Sequence, residues 1–195
     1  MAELRLPVSE ETVRGLEVGD FVELSGRMIT GRDAAHKWLI DEFREEMVPF
    51  MKDSIIYHCG PVVAENDDGT YDFVAAGPTT SIREEHYQAD VIGRYGLRGV
   101  IGKGGMGDKT LAGLSEHGAV YLHAVGGAAQ VLARAIPRVE RVFMLEEFGV
   151  PEALWVIEVE RFPVMVTMDS HGGSLHDEVK ERSQAKLREL LGFAV

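Results

Sequence analysis

The chain of 195 residues has one cysteine, Cys59. An internal disulfide needs two cysteines and an iron–sulfur cluster needs three or four thiolates, so this chain alone supplies neither. Positive charge is also scarce. Lys and Arg number 20 against 32 Asp and Glu, and the net charge of -12 repels a phosphate backbone at long range. That balance argues against nucleic acid as a partner. No apolar run approaches the length of a membrane span. The opening MAELRLPVSEE alternates charged and apolar residues and lacks the basic start and greasy middle of a signal peptide, so a cytoplasmic protein is expected. Repeats, linkers and low-complexity segments are missing as well, and the chain reads as one domain over 1–195, long enough to bury a full core.

What is present is an alternation of strand and helix patterns. Phe21, Val22 and Leu24 start an early strand that leads to a loop at Gly31-Arg32-Asp33. DAAHKWLIDEFREEM spaces Ala35, Trp38, Leu39, Phe43 and Met47 as one helix over 33–47, with Asp33 placed to cap it. SIIYHCGPV and the apolar run after Asp68-Gly69 read as strands, each stopped by Gly-Pro. TTSIREEHYQADVIGRYG reads as a helix capped by Thr79 or Thr80 and ended by Gly96. The strand LRGVI, a short helix from about Asp108, the strand AVYLHAV, the small-residue helix GGAAQVLARAI and the strand RVERVFML follow. LWVIEVERF and VMVTMD read as a hairpin, and HDEVKERSQAKLRELL as a closing amphipathic helix. The pattern predicts an α/β fold with a parallel sheet and an accompanying antiparallel or mixed sheet.

The stretch VIGKGGMG contains Gly102-x-Gly104-x-x-Gly107 after an apolar run, the outline of a dinucleotide turn. That reading also needs an acid about 20 residues on to hold the ribose, and there the chain offers YLHAVGG, with His123 and no acid. Lys103 sits where a pyrophosphate would need bare backbone. The alternative is a cationic loop, in which Lys103 serves as a point charge for a carboxylate. GPTTSIR supports that alternative: a strand passing through Gly77-Pro78 to a helix start at Thr79 would direct backbone N–H groups at an anion, and Arg83 can supply a bidentate fork. Arg32 stands at a third strand-to-helix turn, with His36 one turn on. His123 reads as structural.

TGRDAAHK, GPTTSIR, GKGGM and YLHAVGGAA, in this order and followed by ALWVIEVERFPV, closely resemble the class I (iron–sulfur) fumarate hydratase family, in its β subunit or C-terminal domain. L-tartrate dehydratase β subunits share the pattern. The resemblance implies a swivelling β/β/α three-layer domain, and a [4Fe–4S] cluster held by three cysteines of a separate α subunit in a hetero-oligomer. It implies fumarate and malate as dicarboxylate substrates, bound by Arg32, Arg83 and Lys103, with Thr79 beside the carbon that exchanges a proton. Catalysis would fall to Thr79 and Lys103, with His36 and Thr80 in support and no metal ligand on this chain. Glu84 departs from the methionine often found after the arginine of the second motif. On the residues alone, a non-catalytic dicarboxylate- or phosphate-binding module and a nicotinamide-dependent enzyme remain as alternatives.

Overall fold

A computed structural model describes residues 2–192. In chain order the elements are β1 (Ala2–Arg5), α1 (Glu10–Arg14), β2 (Phe21–Thr30), α2 (Asp33–Asp41), α3 (Val48–Met51), β3 (Ile55–Tyr57), β4 (Val62–Glu65) and β5 (Tyr71–Ala75). There follow α4 (Glu85–Tyr95), β6 (Gly99–Gly102), α5 (Asp108–His117), β7 (Val120–His123), α6 (Ala129–Ala133), β8 (Arg138–Phe143), α7 (Leu145–Phe148), β9 (Leu154–Met168) and α8 (Leu175–Leu191). The fold is α/β, with a seven-stranded mixed sheet in the order β1-β2-β3-β6-β7-β9-β8 and a two-stranded antiparallel sheet of β4 and β5. β1, β2, β3, β6 and β7 run parallel, and β9 is antiparallel to its neighbours. Because β2 also pairs along β9, the pairings run β2–β3–β6–β7–β9 and return to β2.

The central parallel strands β3, β6 and β7 are buried almost along their whole length because both faces are covered. Adjacent residues alternate between two cores: Tyr57, Ile101 and Leu122 point into one with Leu24, Trp155 and Phe162. Ile56, Val100 and Tyr121 point into the other, against Leu39 of α2, Val91 and Ile92 of α4 and Leu114 of α5. The β4–β5 hairpin lies over the first core, where Tyr71 and Phe73 set their rings edge-on to Trp155 at centroid distances of 5.2 and 5.9 Å. Each fully buried Leu, Val or Ile contributes about 1.5–3 kcal/mol to this two-sided packing.

Gly96 and Gly118 end α4 and α5 in the left-handed conformation, with φ of 66° and 63°. Three expectations need correction. The helix over 33–47 stops at Asp41, because α4 takes over its last carbonyls: Tyr95 Oη donates to Leu39 O at 3.0 Å and Arg94 Nη1 to Ile40 O at 2.8 Å. Arg44 N then donates to Tyr95 Oη at 3.0 Å, and a 3₁₀ turn over Glu45–Met47 leads into α3. Asp33 does not cap α2. Arg32 occupies the cap position without a side-chain bond, and Ala34 N donates to Glu152 Oε2 at 2.9 Å.

The expected hairpin of 154–162 with 164–169 is one continuous strand, β9. Both halves pair with the same partner, β2, from Ile29↔Val156 to Phe21↔Met165. Between Gly26↔Val159 and Leu24↔Phe162 the partner β9 advances one residue more than β2, a bulge at which Arg161 takes a left-handed φ of 51°. One residue in that conformation bends a strand but cannot reverse it.

Candidate active site

The parallel strands β2, β3, β6 and β7 all end on one edge of the sheet; Arg32 follows β2 and Lys103 follows β6 there, His36 lies one turn into α2, and the segment 79–83 crosses the same edge. Segment 79–81 is stitched between the ends of β3 and β6. Thr79 N donates to His58 O at 2.7 Å, Lys103 N to Thr79 O at 3.3 Å and Ser81 N to Lys103 O at 3.1 Å. Bridges Cys59↔Pro78 and Thr80↔Lys103 extend the seam. Thr79 is therefore extended backbone and caps no helix, and the N–H groups of Thr79 and Ser81 are used internally. Thr80 stands at the cap position of a 3₁₀ turn over Ser81–Glu84 and makes no side-chain cap bond; α4 begins only at Glu85. The seam sets Thr79 and Thr80 alongside Lys103.

The cations come from three loops. Arg32 Nε lies 2.9 Å from Glu152 Oε1, and Arg32 Nη2 lies 3.6 Å from Asp33 Oδ2. Gly60 makes room for this guanidinium, since a Cβ there would be 2.6 Å from Arg32 Nη1. Arg83 lays its fork on the same Asp33, with contacts of 3.1 and 2.5 Å, and its side chain is 52% exposed. Asp33 thus joins two of the expected clamp residues. Lys103 packs its stem near Gly126, where a Cβ would be 3.4 Å from Cδ. Unlike the two arginines, it joins no ion pair among the described residues.

The glycine loop is not a nucleotide turn. At the start of α5, Glu85 accepts from Gly107 N at 2.7 Å, Thr110 N at 3.1 Å and Thr110 Oγ1 at 2.7 Å, so the chain's own carboxylate fills the place a phosphate would take. The glycines answer to neighbouring side chains. A Cβ on Gly102 would meet Ser81 Oγ at 1.8 Å, one on Gly105 the His176 ring at 2.5 Å and one on Gly107 the Glu85 carboxylate at 2.7 Å.

Beneath the cations lies a fully buried polar network. His36 Nδ1 is 3.0 Å from Arg32 O, and His36 Nε2 is 2.9 Å from the Gln88 amide. His58 Nε2 is 2.7 Å from the same amide, and His58 Nδ1 is 2.9 Å from Ser81 Oγ. Tyr121 Oη donates to Ser81 Oγ at 2.9 Å. Burial pushes the pKa of both imidazoles down, that of His58 well below its ordinary value with neighbouring His36 adding to the effect. A carbonyl only accepts, so Nδ1 of neutral His36 carries the proton and its Nε2 accepts. Both rings are satisfied when Gln88 turns its NH2 toward them, one hydrogen to each Nε2. His36 therefore supports the Arg32 backbone from below and does not face the edge. Ser81, Gln88, His58 and Tyr121 went unread in the sequence, as did Glu85 and Glu152. Cys59 is buried in the first core, its thiol pushed up to about 12 by desolvation, and among the described residues no three His, Cys, Asp or Glu side chains gather as a metal site. His123, at the end of β7, is partly buried with its pKa lowered by desolvation.

An edge of parallel strands that presents two arginines and a lysine over a neutral, hydrogen-bonded floor is chemistry suited to a small carboxylate, built on an α/β domain. The chain belongs to the fumarase C-terminus family, whose model matches residues 2–179. A Geobacillus stearothermophilus protein provisionally named fumarate hydratase class I is 52% identical over 184 residues, covering 94% of this chain and 35% of that protein, so the chain spans about a third of this relative. A Methanocaldococcus jannaschii protein provisionally named L(+)-tartrate dehydratase subunit beta is 41% identical over 95% of this chain and 96% of its own length. The L(+)-tartrate dehydratase subunit beta of Escherichia coli K12 is 36% identical over 91% and 88%. Among the described residues no helix is long and apolar enough to cross a membrane.

Proposed function

We propose that the chain is the β subunit of an iron–sulfur hydro-lyase that catalyses the reversible hydration of fumarate to L-malate. Arg32, Arg83 and Lys103 clamp the substrate carboxylates, and Thr79 lies beside the carbon that exchanges a proton. The observation that carries this reading is the seam that sets Thr79 alongside Lys103, together with the shared Asp33 that joins Arg32 to Arg83. Hydration or dehydration develops negative charge on the carboxylate next to the reacting carbon, and cations fixed in advance stabilise that state more than the ground state.

A cluster does not fit this chain: its one cysteine is buried, with the thiol pushed up to about 12 by desolvation, and no ligand group gathers among the described residues. The [4Fe–4S] centre belongs in this reading to a partner α subunit, and no step through it is assigned to these residues. The assembly is a cytoplasmic hetero-oligomer acting on a small dicarboxylate. A second reading, the β subunit of an L-tartrate dehydratase, is favoured by the relatives of that name that match over most of their own length.

The test is to purify the chain alone and with its cluster-bearing partner and to assay fumarate, malate and tartrate. Activity is expected only from the assembly. Arg83→Ala and Lys103→Ala are each expected to lower kcat/KM by about 10²-fold or more, and Lys103→Arg to be poor as well, because a planar fork does not reproduce a point charge between glycines. Activity of the single chain, or near-normal kcat/KM in these variants, would overturn the assignment.

A further inference from the structure

Glu84 is the one carboxylate at the site that has no bonding partner. Its side chain is fully buried, and neither oxygen has a hydrogen bond among the described residues. The nearest ring nitrogen, His36 Nδ1, is 3.9 Å from Oε2, but that nitrogen's proton goes to Arg32 O, and the ring is neutral. The charged groups that face Glu84 are Asp33 and Arg32 at the start of α2, Arg83 on its own turn and Glu152 before β9. The two guanidiniums and the carboxylates of Asp33 and Glu152 cancel. An ionised Glu84 would leave this cluster with one net negative charge and no donor to hold it, which a buried carboxylate tolerates poorly.

A dicarboxylate entering this cluster brings further negative charge. Arg83, exposed and bound only to Asp33, must turn its fork from Asp33 to the ligand. Arg32 is held by charge, since its Nε–H has no aligned acceptor despite the 2.9 Å approach to Glu152. Turning either arginine uncovers a carboxylate, and a proton is the only cation that can reach the buried side of the cluster without displacing one of them.

We propose that Glu84 is a positioning residue that makes anion capture proton-coupled: binding of a dicarboxylate at Arg32 and Arg83 takes up one proton from solvent, held on a Glu84 carboxyl oxygen. This inference rests on the carboxylate-clamp reading of the two arginines. Desolvation, with Asp33 adding to it, already pushes the Glu84 carboxyl up to about 7 in the free chain, which places the coupling in the neutral range. Below that range Glu84 is protonated before the ligand arrives, and uptake vanishes. Above it, uptake approaches about one proton per site, and the apparent Kd weakens by about tenfold per pH unit.

Two measurements separate this inference from the reading beneath it. Infrared difference spectra of the full chain alone, taken from about pH 5 to pH 9, are expected to show a protonated carboxylic acid that titrates near neutrality and is missing in Glu84→Gln. Absence of that signal in the wild type overturns the proposal whatever the substrate is. Calorimetry of succinate binding to the assembled protein, in two buffers of different ionisation enthalpy, is expected to show proton uptake at about pH 8 and none at about pH 5. Glu84→Gln is expected to bind succinate with no uptake at either pH. Uptake that persists unchanged in Glu84→Gln overturns the proposal. No succinate binding by the wild type at any pH overturns the clamp itself, and the proton coupling with it.

Discussion

Replacing Gly102 by alanine tests whether the floor of the site is as tightly fixed as its distances indicate. The added Cβ would lie 1.8 Å from Ser81 Oγ, 3.2 Å from Ser81 Cβ and 3.0 Å from Tyr121 Oη. The first contact cannot be relieved by a few tenths of an ångström. Either β6 shifts, at about 1–3 kcal/mol for overpacking, or Ser81 turns its hydroxyl away. If Ser81 turns, His58 Nδ1 and Tyr121 Oη lose the acceptor each holds at 2.9 Å, and a buried donor left unpaired costs about 1–3 kcal/mol. Partial relaxation makes these effects less than additive, and we expect a loss of about 3–5 kcal/mol out of a total stability of about 5–15. Urea unfolding of the chain would read this as a lower midpoint at unchanged slope. Gly104→Ala is the control. Its φ is +83°, but its Cβ would meet only Thr80 Cγ2 at 4.0 Å, so backbone strain of about 1–2 kcal/mol is all that is expected. Adding Ser81→Gly to Gly102→Ala removes the clash, so the two changes should couple by about 1 kcal/mol or more. A Gly102→Ala protein within about 0.5 kcal/mol of wild type, or an additive pair, would refute the reasoning.

Glu85→Ala removes the acceptor of three hydrogen bonds at the start of α5 and should lower stability by about 2–4 kcal/mol in the same assay, with Glu85→Gln losing less because one acceptor remains. Thr79→Ala, assembled with the partner, is expected to keep the wild-type melting temperature and lose about 10²-fold or more in kcat, whereas Thr80→Ala loses little; equal modest losses that follow stability would remove Thr79 from the chemistry. The Glu84 carboxyl is raised from 4.5 to about 7, so the native state binds a proton that the unfolded state has released. The wild type should lose stability as pH rises across that interval and then level off, while Glu84→Gln lacks this slope; parallel stability curves from pH 4.5 to 7 would contradict it.

Much of the architecture was legible because it rests on local chemistry. Gly96 announced the end of α4 through its left-handed cap, and Asp68-Gly69 announced the β4–β5 turn, where Thr70 N and Oγ1 bond Asp68. The illegible parts are those decided from a distance. Periodicity carried α2 through to Met47, but a tyrosine hydroxyl 56 residues from Leu39 claims the carbonyl that would have continued it. Asp33 looks like a cap beside its helix and is instead the counter-ion of Arg83, 50 residues on. LWVIEVERF and VMVTMD read as a hairpin, yet both halves pair with β2. The floor of the site left one trace. Gln88 lies on the stripe with Val91, Ile92 and Tyr95, and a polar residue on a buried helical face asks for partners. Its partners, His36 and His58, come from two other elements, and no spacing in the chain predicts that meeting.

The ring of strand pairings closes through β9, and that has a consequence for how the protein comes into being. Ile29 pairs with Val156, and the difference of their numbers, 127, is the length of chain that must be in place before the two strands can meet. Contacts so distant in sequence are slow to form and leave strand edges exposed in the meantime. During synthesis β2, β3, β6 and β7 emerge with the loops of Arg32, Thr79 and Lys103 already attached, but β2 has no neighbour on its β9 side until residue 156 and beyond is free to pair. The site edge therefore matures late and all at once. A slow phase in refolding should report β9 docking, and a nascent chain stopped short of β9 should leave that edge of β2 unpaired.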